Sequence, residues 1–307
     1  MMNYNMSLLW FLRSVIVGFY LYRLKKYFFH LNVSIYILFH FKKPINTIIK
    51  IRNKKYPFIL EKKNGKTIEI KSKIQLSFIL KKMENMFSIE NNLLTIKFNS
   101  KLLKFTNYES MELDIFSQKL YSNLSVKNKT VIDVGGGVGD SALLYRTLGA
   151  KKVIMIEPEP AFFESAKQNI ELNKELQNIE IHNLVLSSTI GIYMIDHKQS
   201  GSLGEIKESK EYGTPIPKIT IDKFLSNYHE QNFVLKMDCE SCEYDVLLSI
   251  PEDTLRKFEY IFIEFHNGCL NISQRLEKSG FKIKILNSKL TPNKRCRGHL
   301  LATRNKL

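Results

Sequence analysis

The sequence predicts an α/β fold: a doubly wound, mostly parallel seven-stranded sheet of the Rossmann-like kind, preceded by a small α+β region. Two observations support this prediction. From residue 130 onward, short apolar runs alternate with helical patterns, which is typical of parallel sheets covered by helices. The first run, Thr130–Gly135, leads into the glycine-rich stretch VIDVGGGVG, and a strand that turns into a helix through glycines is a common cofactor loop.

The alternation continues to the end of the chain. The later predicted strands are Lys152–Glu157, Ile179–Leu186, Gly191–Asp196, Phe233–Asp238, Tyr260–His266, Phe281–Leu286 and Gly298–Arg304. The predicted helices are Asp140–Leu148, Ala161–Leu172, a short one within Ile219–Tyr228, Glu243–Ser249 and Leu270–Ser279. Residues 197–217 are rich in glycine, serine and charge, which predicts a loop and makes it a candidate lid.

The distribution of charge divides the chain. The formal net charge is +16, from 46 Lys and Arg against 30 Asp and Glu. Residues 1–130 contain 23 basic and 7 acidic residues, whereas residues 131–307 contain 23 of each. The basic N-terminal part therefore predicts an anionic partner, either a membrane surface or nucleic acid. We predict three parts: a basic aromatic helical segment (1–43), a small α+β accessory region (44–125) and the main domain (126–307).

Residues 1–43 contain two apolar, aromatic runs, Leu8–Tyr22 and Tyr27–Phe41, each followed by basic residues. Neither run reaches the roughly 18 uncharged residues of a spanning helix, and Arg13 interrupts the first. No basic residue precedes the first run, so a signal peptide is not predicted. Two alternatives stay open: a helix lying in the membrane interface, and a helical pair packed on the main domain.

The accessory region predicts short strands and helices that are candidates to cover the active site. The runs PFILEKK and KTIEI flank Asn64-Gly65, which predicts a hairpin with a two-residue turn. Further predicted elements are a helix at Ile74–Met86, strands at Leu93–Phe98 and Lys101–Phe105, and a helix at Glu112–Leu124.

The four cysteines are too few for a secreted disulfide framework, which favours a reducing compartment. Cys239 and Cys242 form a CxxC, but the other two, Cys269 and Cys296, do not supply the second close pair that a zinc site needs. We expect all four to act as small apolar side chains.

Acidic and polar side chains follow the predicted strands, at the sheet edge where doubly wound folds bind ligands. Glu157 ends the second strand and lies 22 positions after Gly135, where an acid can accept both ribose hydroxyls of a nucleoside. Asp133 precedes three glycines in the spacing D-x-G-x-G-x-G, filled by Gly135, Gly137 and Gly139.

Two cofactors fit such a loop. A nicotinamide dinucleotide wants G-x-G-x-x-G or A, a register that Gly137, Gly139 and Ala142 can fill. S-adenosylmethionine carries a sulfonium and an amino group but no phosphate. An acid beside the glycines suits that cation and repels a pyrophosphate, so charge complementarity favours S-adenosylmethionine.

Several motifs occur together in the order VIDVGGGVGD, IEPEP, ITIDKFL, LKMDCESCEYDVL and IFIEFH. In this combination the chain resembles the FkbM family of class I methyltransferases, over about residues 126–307. The resemblance implies S-adenosylmethionine-dependent O-methylation, commonly of sugar or polyketide hydroxyls. It places Asp133 and the glycines at the methionine part of the cofactor, Glu157 at the ribose and Asn183 near the adenine. Ser241 departs from the family pattern, which usually has glycine there.

Transfer of a methyl group to a hydroxyl benefits from a general base. Candidates at the strand ends are Asp238, Glu240, Glu264 and His266, with Asp238 first and His266 second because a histidine titrates near neutral pH. His266 could equally serve to hold a loop. Asp238 and Glu240 could bind a divalent ion, but no metal site is predicted, since nothing else in the sequence supports one.

Two other functions stay open. The basic N-terminal part suits a methyltransferase that acts on RNA, although an Asp/Asn-Pro-Pro-aromatic motif and a Pro-Cys nucleophile are both missing from the sequence. A non-catalytic, membrane-associated protein on the same fold is the second alternative. The expected partners are a hydroxyl-bearing acceptor (a sugar, glycolipid or metabolite) and an anionic membrane surface at residues 1–43. The expected location is the cytoplasm, including the inner face of the membrane.

Overall fold

The structure is a computed structural model that describes residues 37, 39–53, 55–70, 76, 87–91, 93–108, 111, 114–117, 124–196, 213–291, 293 and 295–304. The chain forms two compact units, Met1–Asn85 with Lys289–Lys294, and Met86–Ser288 with Arg295–Leu307. This division differs from the predicted boundaries after residues 43 and 125. The predicted helix at Ile74–Met86 lies outside the described residues except for Leu76, as does the predicted segment 1–43 except for Ile37 and residues 39–43.

The smaller unit contains helix α1 (Pro44–Asn53) and the antiparallel strands β1 (Phe58–Glu61) and β2 (Thr67–Ile70). Its predicted hairpin is confirmed, but the turn is longer than expected. The amide of Lys62 donates to the carbonyl of Lys66, and only Gly65 has a positive φ, +86°. A two-residue type I′ turn requires positive φ at both central residues, so the chain instead closes through a longer loop.

The larger unit begins with a three-stranded antiparallel sheet of β3 (Phe87–Glu90), β4 (Leu93–Phe98) and β5 (Lys101–Phe105). Two buried asparagines hold the end of this sheet: the amides of Lys104 and Thr106 donate to the Oδ1 atoms of Asn173 and Asn169, each at 2.9 Å. Helix α2 (Asp114–Ser117) is the described part of the predicted helix at 112–124.

The predicted seven-stranded sheet is confirmed, with the order β14-β15-β13-β12-β6-β7-β8. Strands β8, β7, β6, β12 and β13 run parallel to one another, and β15 is antiparallel to β13. Every residue of the central strands β6 and β12 is buried, as expected for strands covered by helices on both faces. The strands are β6 (Thr130–Val134), β7 (Lys152–Ile156), β8 (Ile179–His182), β12 (Phe233–Met237), β13 (Phe258–Phe265), β14 (Phe281–Leu290) and β15 (Cys296–Arg304).

Five helices lie close to their predicted positions: α3 (Asp140–Thr147), α4 (Pro160–Glu171), α5 (Ile221–Leu225), α6 (Cys242–Ser249) and α8 (Leu270–Lys278). The short helix α7 (Glu252–Leu255) was not predicted. Among the described residues, none of the helices combines the length and apolar character needed to cross a membrane.

One part of the fold differs from the prediction. The third predicted strand is split into β8 and β9 (Val185–Leu186), and β9 belongs to a small sheet with β10 (Gly191–Ile195) and β11 (Thr214–Ile219). The predicted loop 197–217 thus ends in a strand, while residues 197–212 lie outside the described part. This strand was not predicted, because it contains Pro215 and Pro217 and prolines are unusual within strands. They are tolerated because β9 pairs only with Lys218 and Ile219, beyond both prolines.

Candidate functional site

A cavity of about 370 Å³ lies at the carboxyl ends of β6, β7 and β12. Its volume is in the range of small-molecule sites, and its position is the usual one in doubly wound sheets. The glycine loop, the turn after β7, the strand β9 and the loop after β12 supply the wall. The lining residues used below are Gly135, Gly136, Gly137, Ser141, Glu157, Leu184, Val185, Leu186, Lys236, Asp238, Cys239, Glu240 and Cys242.

The glycine loop owes its form to close contacts that a side chain would block. A Cβ atom on Gly135 would lie 1.9 Å from the carbonyl oxygen of Asp238, and one on Gly136 would lie 2.4 Å from Cγ of Met155. Gly137 has a φ of +55° and open space where its Cβ would be. Gly139 lies outside the cavity wall and packs against Ala166 of α4 instead. The loop therefore presents bare backbone to the cavity.

Glu157 holds the glycine loop against the end of β7. One carboxylate oxygen accepts the amide of Gly137 at 2.8 Å, and the other accepts the amide of Glu159 at 2.9 Å. The residue is 5% exposed, and burial raises the pKa of its carboxyl to about 7 although both amides oppose the shift. Each carboxylate oxygen keeps a second lone pair for a ligand hydroxyl, consistent with the predicted ribose contact.

Asp133 differs from its prediction. Its side chain is fully buried and lies outside the cavity wall. Ser141 Oγ donates to its Oδ2 at 2.6 Å, and Nζ of Lys236 lies 3.1 Å from its Oδ1. Lys236 also donates to the carbonyl of Gly135 at 2.7 Å. Asp133 therefore positions the loop through Lys236 and Ser141, and its charge is balanced by Lys236.

Asn183 also acts indirectly. Its side-chain amide donates to the carbonyls of Glu157 and Pro158, each at 2.9 Å, and so fixes the turn after β7. The neighbouring cavity wall is formed by Leu184, Val185 and Leu186 instead. An apolar wall of this kind suits the flat face of an aromatic ring system.

The loop after β12 brings two carboxylates and a disulfide to the cavity. Asp238 and Glu240 line it, and Cys239 is bonded to Cys242, the first residue of α6. The cysteines pack against the core as expected, and the bond between this pair was not predicted. Glu240 and Ser241 both have positive φ, +53° and +103°. Ser241 thus adopts the left-handed conformation that favours glycine, the residue usual for the family at this position.

His266 follows β13 and lies behind these carboxylates. It is 1% exposed, and its Nδ1 is 2.9 Å from Oε1 of the fully buried Glu243. Burial lowers the pKa of His266, but the contacts with Glu240 and Glu243 outweigh it and raise the pKa to about 10. These surroundings favour the charged imidazolium, whereas the sequence predicted a histidine that titrates near neutral pH.

Glu264 completes the predicted catalytic set. Oxygens of Asp238 and Glu264 and a ring nitrogen of His266 lie within 4.8 Å of one another. His299 Nε2 lies 3.1 Å from Glu264 Oε2. Burial raises the pKa of Asp238 well above its usual range; Lys236 opposes the shift and Glu264 adds to it.

The structure therefore brings the four predicted acid-base residues together. Two important residues were missed by the sequence analysis: Lys236 and Glu243. A lysine in the apolar run FVLKMD was a visible signal, because a charge in a buried strand requires a partner. Glu243 gave no such signal, since an acid in the first turn of a helix is common.

A glycine loop, an acid after the second strand and an antiparallel strand β15 inserted beside β13 define a Rossmann-like methyltransferase. Residues 133–283 match the family model described as the methyltransferase FkbM domain. This stretch of the chain therefore carries a methyltransferase FkbM domain.

Curated ribosomal protein L11 methyltransferases are similar to this chain over short stretches. A ribosomal protein L11 methyltransferase of Clostridium botulinum (strain Eklund 17B / Type B) is 32% identical over 111 residues, 36% of this chain and 34% of the relative. Another, from Anoxybacillus flavithermus, is 40% identical over 62 residues, 20% and 18% of the two chains. The chain thus spans about a third or less of these relatives.

Solved structures are similar at low identity. A ribosomal protein L11 methylase from Lactobacillus delbrueckii subsp. bulgaricus has 17% identity and a TM-score of 0.36, with 60% of this chain and 75% of that chain covered. A magnesium protoporphyrin IX methyltransferase from Synechocystis PCC 6803, with bound S-adenosylmethionine, has 15% identity and a TM-score of 0.34, with 61% and 74% covered.

The cofactor of the family is S-adenosylmethionine, and the cavity of this chain fits it. The bare backbone of Gly135–Gly137 permits close approach, and the second lone pairs of Glu157 suit ribose hydroxyls. The apolar wall at Leu184–Leu186 suits the adenine ring. When bound, the cofactor supplies an activated methyl group.

Proposed function

We propose that the protein transfers a methyl group from S-adenosylmethionine to a hydroxyl of a sugar, a glycolipid or a small metabolite. The observation that carries this proposal is that Asp238 and Glu240 line the same cavity as the glycine loop and Glu157. One cavity can therefore bind the methyl donor at the glycine loop and the methyl acceptor beside the two carboxylates.

Methyl transfer is an in-line displacement, so the chain has mainly to orient the acceptor oxygen. The loop after β12 supplies carboxylates that can accept a hydrogen bond from the acceptor hydroxyl. During the transfer such a carboxylate can take up the hydroxyl proton as a general base. His266 supports Glu240, whose Oε2 lies 3.3 Å from His266 Nε2. Glu243 in turn contacts the other ring nitrogen of His266. This arrangement suits a hydroxyl acceptor, whose proton a carboxylate can accept.

Donor binding is tested by calorimetry with S-adenosylmethionine. We expect the wild type to bind and Glu157→Gln to lose at least tenfold in affinity. Glu164→Gln is a matched control, because Glu164 is 58% exposed and pairs with Lys167 on the same helix. Failure of the wild type to bind would contradict the proposal.

The acceptor is tested with labelled S-adenosylmethionine and a cell extract separated into glycan, lipid and RNA. We expect the label in glycan or glycolipid. Label in RNA would instead support the RNA-directed alternative, which the basic N-terminal part favours. Asp238→Asn should abolish the labelling while donor binding remains.

We also propose that the basic residues of the N-terminal part attract an anionic membrane surface, which would present a lipid-linked acceptor. The excess of 23 basic over 7 acidic residues within residues 1–130 supports this proposal. Sedimentation with vesicles of anionic lipid should retain the full chain and lose it at high salt. Equal retention on neutral vesicles would contradict the electrostatic attraction.

A further inference from the structure

We propose that Asp238, Glu264 and His266 bind a divalent cation such as Mn²⁺. This site is independent of the proposed O-methylation, because it can be measured with the metal alone. Two strand ends form it: Asp238 follows β12, and Glu264 and His266 lie at the end of β13.

The donor atoms converge. One oxygen from each carboxylate and one ring nitrogen of His266 lie within 4.8 Å of one another. Atoms that share an ion at roughly 2.1–2.3 Å lie at most about 4.6 Å apart, so only a small contraction is needed. Two oxygens and one imidazole suit ions that accept both ligand types, and Mn²⁺ is one of these.

The buried histidine is the observation that distinguishes this set from an ordinary acidic cluster. His266 is 1% exposed, and within the described part of the chain its Nε2 has no hydrogen-bond partner. Glu240 Oε2 lies 3.3 Å and Asp238 Oδ1 4.0 Å from Nε2, both at ion-pair distance. Because these surroundings favour the imidazolium, binding of the ion replaces the proton of Nε2, which is released to solvent.

Neighbouring side chains contact the proposed ligands and fix their orientation, as is usual around metal sites. Metal-binding histidines commonly donate the N–H of their other ring nitrogen to a carboxylate. Glu243 is placed to accept such a bond, with Oε1 2.9 Å from Nδ1 of His266. Likewise, Nε2 of His299 lies 3.1 Å from Oε2 of Glu264. Both contacts orient their partners toward the same point.

The charges also favour a cation. Asp238, Glu240, Glu243 and Glu264 surround the imidazole, and Arg297 pairs with Glu240 at 3.3 Å. A divalent ion at this point would balance the charges of Asp238 and Glu264, the two carboxylates that would bind it. Buried carboxylates are stable only when such balance is provided.

The test is a titration of the full chain with Mn²⁺. Binding is measured as the decrease of the free Mn²⁺ signal in electron paramagnetic resonance. We expect one ion per chain, and at least tenfold weaker binding in His266→Gln and in Glu264→Gln. Glu264 is 18% exposed, so the second variant is informative if the first does not fold. Electron spin echo modulation should show a bound ¹⁴N that His266→Gln removes.

The matched control is His182→Gln. His182 also lies against a carboxylate, with Nε2 2.6 Å from Glu180 Oε1, but at the edge strand β8 and 29% exposed. This variant should bind Mn²⁺ like the wild type. Absence of binding by the wild type, or equal binding in His266→Gln, would overturn the site. Calorimetry with S-adenosylmethionine separates that failure from failure of the proposed function.

Discussion

Asp133 and Lys236 are register partners on the adjacent parallel strands β6 and β12, and their charged groups lie 3.1 Å apart with almost no exposure. The pair connects the two strands whose ends form the cavity. Because Lys236 also donates to the carbonyl of Gly135, the same contact fixes the start of the glycine loop.

Removing the lysine leaves a buried charge without a counterion. We expect Lys236→Met to lower the free energy of unfolding by about 3–5 kcal/mol, the usual cost of breaking a buried pair. Urea denaturation measures this change. Lys223→Met, at an exposed lysine of α5, should have little effect. The double variant Asp133→Asn/Lys236→Met should recover part of the loss, and a purely additive double variant would contradict the pairing.

Substitution by alanine should destabilise the protein to different extents at two glycines of the loop. Gly135→Ala places a Cβ 1.9 Å from a backbone carbonyl, so we expect a loss of several kcal/mol in the free energy of unfolding, or failure to fold. Gly137→Ala meets no atom within 4 Å and should cost only the left-handed conformation, about 1–2 kcal/mol. Thermal denaturation compares the two, and similar losses would show that strain, rather than the contact, decides.

Donor binding should depend on pH through Glu157. Its pKa of about 7 means that the carboxylate, which accepts hydroxyl protons better than the acid, is lost as pH falls through 7. We expect the affinity for S-adenosylmethionine to decrease by about tenfold per pH unit below 7, because binding must then remove a proton. Calorimetry at several pH values measures this slope. Glu157→Gln should bind more weakly and without the slope.

The disulfide between Cys239 and Cys242 closes a short loop beside the cavity. Its reduction by a dithiol should lower the free energy of unfolding by roughly 2 kcal/mol, the entropy expected for a four-residue ring. Scanning calorimetry with and without the reductant measures the shift. A Cys239→Ser/Cys242→Ser variant should be insensitive to the reductant. A reductant effect that persists in this variant would point to Cys269 or Cys296 instead.

The alternation of apolar runs and helical patterns was enough to predict the seven-stranded sheet, because buried parallel strands are recognisable from local composition. The glycine loop and Glu157 were also predictable, since glycines and an acid at strand ends are local signals. Strand β11 was not, because Pro215 and Pro217 are tolerated only through the particular pairing of β9. The longer turn at Gly65 likewise depended on how the strands pair.

The sequence by itself determined the family, the glycine loop and which carboxylates follow which strands. Only the tertiary structure decided what those carboxylates face. Asp133 and Lys236 lie 103 positions apart in the chain, yet the register of β6 and β12 makes them neighbours. Glu243 reaches His266 in the same way, from the first turn of α6 to the end of β13. Charge pairing across strands depends on register, and register is fixed by the packing of the whole sheet.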